Sequence, residues 1–145
     1  MAPRKVGSSR ATWSLAVAAV CAALTPVAVA AEISYAGNWD CEATPKLNIP
    51  NFSVPGTAVR DGNRLTVSRT VYKPGTFEEL GRVSGATTAQ DGKFVVETAT
   101  PSGGITGRFE GTVSDAEVAL KGVERLKIPD RGEGERTCRA SLKRQ

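Results

Sequence analysis

The chain has no histidine. That single absence removes the Ser-His-Asp and Cys-His nucleophile systems and every histidine-ligated metal site. Glycine is plentiful, yet no P-loop, G-x-G-x-x-G or G-x-S-x-G pattern occurs, so no nucleotide cofactor and no hydrolase elbow is expected. Three cysteines are present without C-x-x-C spacing, which argues against a redox dithiol; neither a metal nor a cofactor is expected. Aromatics are scarce, at 6%, so a small interior here can be filled by its own side chains. Composition leaves a Ser–Lys dyad or a carboxylate pair open. Asp40 and Glu42 share one strand face, but that face is expected to meet solvent.

The first 31 residues read as an export signal. Arg4, Lys5 and Arg10 are basic with no acid among them. An apolar run from Trp13 to Leu24 follows, broken by Pro26, and small residues end the segment at Ala28-Val29-Ala30-Ala31. This is a cleaved secretory signal with its cut after Ala30 or Ala31. The run is alanine-rich and short for a membrane anchor, and Val20 is bulky for a residue preceding a lipidated Cys21. Cleavage also alters the charge. The whole chain carries 19 basic and 15 acidic residues; losing three basic ones leaves 16 against 15, a net +1. That near-neutral domain offers no footprint for nucleic acid, and no stable membrane insertion is expected after cleavage. The expected compartment is therefore secreted or periplasmic, in a bacterium.

Residues 32–145 are the size of one domain. Their pattern is β almost throughout. Ile105-Thr106-Gly107-Arg108-Phe109-Glu110-Gly111-Thr112-Val113 alternates apolar or Gly with polar, a period of two with one wet face. Asp61-Gly62-Asn63, Asp91-Gly92, Ser102-Gly103-Gly104 and Ser114-Asp115 mark reversals between β-rich runs. Pro45, Pro50 and Pro55 assign residues 43–56 to a loop without a regular central strand. Residues 127–135, polar and turn-rich, read as a second loop.

Two cysteines remain after cleavage, in an oxidising compartment, so a Cys41–Cys138 disulfide is expected. Cys41 shares a face with Tyr35, Gly37 and Trp39 on the first strand; Cys138 shares one with Ala140 and Leu142 on the last. A bond between them makes first and last strands neighbours, as in a meander closed into a barrel. The expected fold is therefore all-β: a small antiparallel meander barrel of about eight strands, stapled from first strand to last.

Gly37-Asn38-Trp39 resembles the G-x-W opening of calycin-like barrels, the lipocalin and avidin types. The resemblance implies a Trp39 plugging the barrel base, stacked on a basic residue of the final strand, Arg136 or Arg139. It carries over no ligand, because the other motifs of those families are missing. The early G-x-W, the Gly-rich hairpins and the late cysteine followed by basic residues also resemble small exported alphaproteobacterial proteins of unknown function. The function expected is a non-catalytic binding module for a small apolar ligand or an envelope protein, with Tyr35, Trp39, Phe94, Phe109 and Leu120 as candidate ligand- or core-lining residues. The alternative is an exported inhibitor, since Ser84-Gly85-Ala86 is similar to the inhibitory loop of small disulfide-closed lysozyme inhibitors.

Overall fold

A computed structural model describes residues 2–4, 7, 16–26, 31–73, 75–90 and 92–145. Most of the basic start, Trp13 and the cut after Ala30 expected of the export signal lie outside these residues, as does Asp91 of one expected hairpin. Eight strands follow in chain order: β1 (Ile33–Cys41), β2 (Phe52–Asp61), β3 (Arg64–Tyr72), β4 (Glu79–Thr88), β5 (Gly92–Ala99), β6 (Ile105–Val113), β7 (Glu117–Ile128) and β8 (Gly132–Arg144). Each pairs antiparallel with the next, and β8 pairs with β1, closing a barrel. Closure gives every strand a neighbour on both sides, which removes the long open edges of a flat sheet. No helix among the described residues is long and apolar enough to cross a membrane.

Alternation in the sequence sets which side chains enter the barrel. On β3, Leu65 and Val67 point inward; on β6, Phe109 and Val113; on β8, Cys138, Ala140 and Leu142. Outward positions carry charge, among them Glu97, Arg108, Glu110, Lys121 and Arg139. Trp39 and Phe109 meet edge to face in the middle, with ring centroids 5.2 Å apart at 81°. Such a pairing adds about 0.5–1.5 kcal/mol to the burial of the rings. Glycine makes room for the rings: a Cβ on Gly111 would lie 2.8 Å from Phe94 Cζ and 2.2 Å from the Ala119 carbonyl oxygen. One end of the barrel is packed shut by Tyr35, Leu65, Phe94 and Val118, with the Tyr35 hydroxyl donating to the Ser114 carbonyl at 2.7 Å. The barrel's first and last residues leave from this shut end, where Gln145 N donates to Ser34 O.

The staple is in place. Cys41 and Cys138 are directly opposed on β1 and β8 and joined by a disulfide, 97 positions apart in sequence. Two expected loops shrink. β7 runs on to Ile128 and β8 starts at Gly132, leaving only residues 129–131 as connection where 127–135 were expected. Between β1 and β2, a short 3-10 turn (Pro45–Leu47) buries Leu47, and β2 then begins at Phe52 with Pro55 inside it. Pro55 is accommodated because β2 has one neighbour there. It pairs with β1 from Phe52 onward, but with β3 only from Gly56, opposite Arg69. A residue without an N–H thus interrupts no two-sided ladder. Ser84-Gly85-Ala86, similar in sequence to an inhibitory loop, lies within β4, paired to β3 at Ser68, Val67 and Thr66.

Candidate functional site

Three inward positions near the other end of the barrel are charged. On β7 the inward series Val118, Leu120, Gly122 continues to Glu124; on β3, Leu65 and Val67 continue to Arg69; on β8 the series begins at Arg136. Glu124 and Arg136 are direct cross-strand partners, and Arg69 reaches the same carboxylate from β3. Arg69 donates from Nε to Oε1 at 3.1 Å and from Nη2 to both oxygens at 2.8 Å. Arg136 donates to Oε2 from Nε at 3.0 Å and Nη2 at 2.8 Å. Glu124 has no solvent exposure and the two arginine side chains have 2% and 3%. A buried carboxylate is tolerated only when so engaged.

Aromatic faces complete the arginines' surroundings. The Arg136 guanidinium lies 4.5 Å from the Phe52 ring centroid; that of Arg69 lies 5.5 Å from Phe52 and 5.9 Å from Trp39. The expected stack on Trp39 is thus corrected in its partner: Arg69 of the third strand supplies it. Arg136 sits over Phe52, and Arg139, one step out of phase, points to solvent. Trp39 contributes its ring and not its N–H, which is buried without a hydrogen-bond partner among the described residues. Burial lowers the Arg136 pKa from its ordinary value; the Glu124 charge and hydrogen bonds oppose this, while the nearby Arg69 charge adds to it. An arginine remains charged under such a shift.

The disulfide lies against this cluster, with Cys41 Sγ 3.9 Å from Glu124 Oε2. Cys41, Glu124 and Cys138 bring two sulfurs and a carboxylate oxygen within 4.8 Å of one another. In the oxidised protein they are no metal-ligand set: the sulfurs are bonded to each other and the carboxylate is taken by two guanidiniums.

Beyond the arginines the barrel opens. Phe52–Pro55 of β2 and Thr70–Tyr72 of β3 do not pair with each other, and the gap widens into a pocket of about 710 Å³. Its floor includes Arg69 and Arg136; its walls are Ile49, Val54, Val71, Leu126 and Ile128; Phe77 and Leu80 stand at the mouth. Phe77 is 97% exposed and Leu80 59%, so two large apolar side chains face water where they border the pocket. The five candidates Tyr35, Trp39, Phe94, Phe109 and Leu120 are all in the packed core and none lines this pocket. The lining comes instead from other residues: Arg136, several in the two segments expected as loops, among them Ile49, Phe52, Val54, Ile128 and Arg131, and others not singled out in the sequence. Asp40 and Glu42 are exposed, as expected.

No family model, curated protein or solved structure matches this chain. Site geometry alone therefore carries the functional argument.

Proposed function

We propose that the protein is an exported, non-catalytic binding barrel that holds a small, largely apolar molecule in the pocket at its open end. The observation that carries this reading is the pocket itself. A volume of about 710 Å³ falls within the roughly 300–1,000 Å³ of ligand pockets, and apolar walls with a few convergent polar groups are their usual make-up. It sits on a closed, disulfide-stapled scaffold, which holds the lining side chains in place without ordering costs on binding. The exposed Phe77 and Leu80 extend the apolar surface outward for a ligand to cover.

Non-catalytic action is supported by the donor set. Among the described residues no aspartate, glutamate or histidine lines the pocket, and the buried Glu124 beneath it accepts five hydrogen bonds from arginines. Carboxylate and imidazole bases are thus missing from the described lining. Export is supported by the leading basic-apolar segment and by a disulfide that persists in oxidising compartments. The charged outer wall differs from the apolar band of a membrane barrel.

Titration with a neutral fluorescent probe, N-phenyl-1-naphthylamine, tests the reading. Saturable binding of one probe per barrel is expected, abolished by Val71→Trp, which fills the pocket from its wall. Probe binding that ignores Val71→Trp, or no saturable binding at all, overturns it.

A further inference from the structure

The charge beneath the pocket does not balance. Two guanidiniums face one carboxylate, so the buried cluster holds one surplus positive charge. No acid among the described residues lines the pocket to offset it; toward the mouth stand Arg131 and Lys73, the latter paired with Glu78. Donor capacity is also left over. Arg136 places Nε and Nη2 on Glu124, and its Nη1 donates to no acceptor among the described residues. Arg69 Nη1 reaches only the Thr70 carbonyl, at 3.4 Å, the long limit of a hydrogen bond. A 97%-buried arginine side chain lining an apolar pocket, with an N–H pair unspent, is a donor prepared for an acceptor that the chain does not provide. The buried side-chain atoms without a partner among the described residues are Trp39 Nε1, Thr44 Oγ1 and Thr98 Oγ1; Arg136 Nη1 instead opens onto the pocket, where an acceptor can reach it.

From this we infer that the pocket takes an amphipathic monoanion, a carboxylate on an apolar chain, bound head-first on Arg136 and Arg69 with its chain running out past Val71 and Leu126 toward Phe77. The inference rests on the proposed binding function and names its ligand class. A single negative charge brings the cluster to neutrality; a dianionic phosphate would overshoot it. The head goes inward because the unspent donor is at the floor, whereas at the mouth Lys73 already pairs with Glu78 at 3.7 Å in solvent, where such pairs are weak. The walls then take the chain, whose burial supplies affinity in proportion to its apolar area.

The test compares oleate, methyl oleate and a trimethylammonium of equal chain length by calorimetry on the oxidised protein. Oleate is expected to bind about tenfold or more tightly than its methyl ester, the worth of one charge-assisted hydrogen bond, and the cation more weakly than either. Arg136→Lys, which keeps the charge and removes Nη1, is expected to erase most of the preference for acid over ester. The rim variant Lys73→Ser/Arg131→Ser should change oleate affinity less than about threefold, as screened surface charges do. Equal affinity for acid and ester overturns the anion inference and leaves the binding function standing. A preference lost in the rim variant but kept in Arg136→Lys overturns the head-first orientation. Failure of all three probes to bind removes both. The acid–ester comparison on the unaltered protein decides the matter even where Arg136→Lys does not fold.

Discussion

Replacing Glu124 with glutamine removes one negative charge from between two buried arginines. Five N–H···O bonds currently end on its carboxylate. At about 1.5–3 kcal/mol per charge-assisted bond their simple sum would exceed the stability of a whole domain, so they cannot be additive. The better guide is the cost of breaking a buried pair from one side, about 3–5 kcal/mol. Glu124→Gln sits at the upper end, because two cations are left without a counter-charge and the new amide turns N–H donors toward guanidinium donors. Arg136→Met is gentler: Glu124 keeps Arg69, the surplus charge disappears, and the methionine packs on Phe52. The expected order of loss is therefore Glu124→Gln above Arg136→Met, by at least about 1 kcal/mol. Replacing all three charged residues together with Met, Leu and Met should cost little, or stabilise by about 1–4 kcal/mol. Guanidinium chloride unfolding under non-reducing conditions, followed by tryptophan fluorescence, measures all three. A loss under about 1 kcal/mol for Glu124→Gln, or the reverse order, would refute the claim that the carboxylate holds two buried cations.

The staple gives a second prediction. Cys41→Ser/Cys138→Ser opens a 97-residue loop, worth about 4–5 kcal/mol on the chain-entropy model, and should lower the unfolding free energy by about that much in the same assay, with a matching fall in the denaturation midpoint. Gly111→Val drives a side chain into the Phe94 ring and the Ala119 carbonyl; a loss of about 1–3 kcal/mol or more is expected in the same unfolding assay. Phe77→Ser, at a 97% exposed position, should leave stability within about 0.5 kcal/mol and weaken N-phenyl-1-naphthylamine binding, separating the pocket mouth from the fold.

The fold was legible because its signals are local and repeat. Period-two alternation on β6, the reversals at Asp61-Gly62 and Ser114-Asp115, and the phase of Cys41 and Cys138 each constrain one step, and together they close the barrel. Pro55 misled because the rule against proline in strands concerns two-sided pairing, and one-sidedness depends on where β3 ends its register. The site was harder to read. Glu124, Arg69 and Arg136 all fall in phase with inward apolar neighbours, so the alternation marks them as interior charges. What it cannot supply is that β3, distant in sequence from the β7–β8 pair, aims Arg69 at the same point, since that depends on barrel stagger. Arg69 in place of Arg139 beside Trp39 follows from the same geometry: Arg139 is out of phase with Cys138 and faces solvent, while Arg69 points inward from β3. The pocket arises from a gap in pairing between β2 and β3, a feature with no residue signature of its own.

The most direct test of a ligand site at the open end is a map of amide shifts in a ¹⁵N-labelled sample as dodecanoate is added. The largest shifts are expected at Phe52–Val54, Arg69–Lys73 and Leu126–Ile128, saturating together at one equivalent, with Asn63 and Ser114 at the shut end unmoved. Shifts scattered over the charged outer wall, or concentrated at the shut end, would contradict the account.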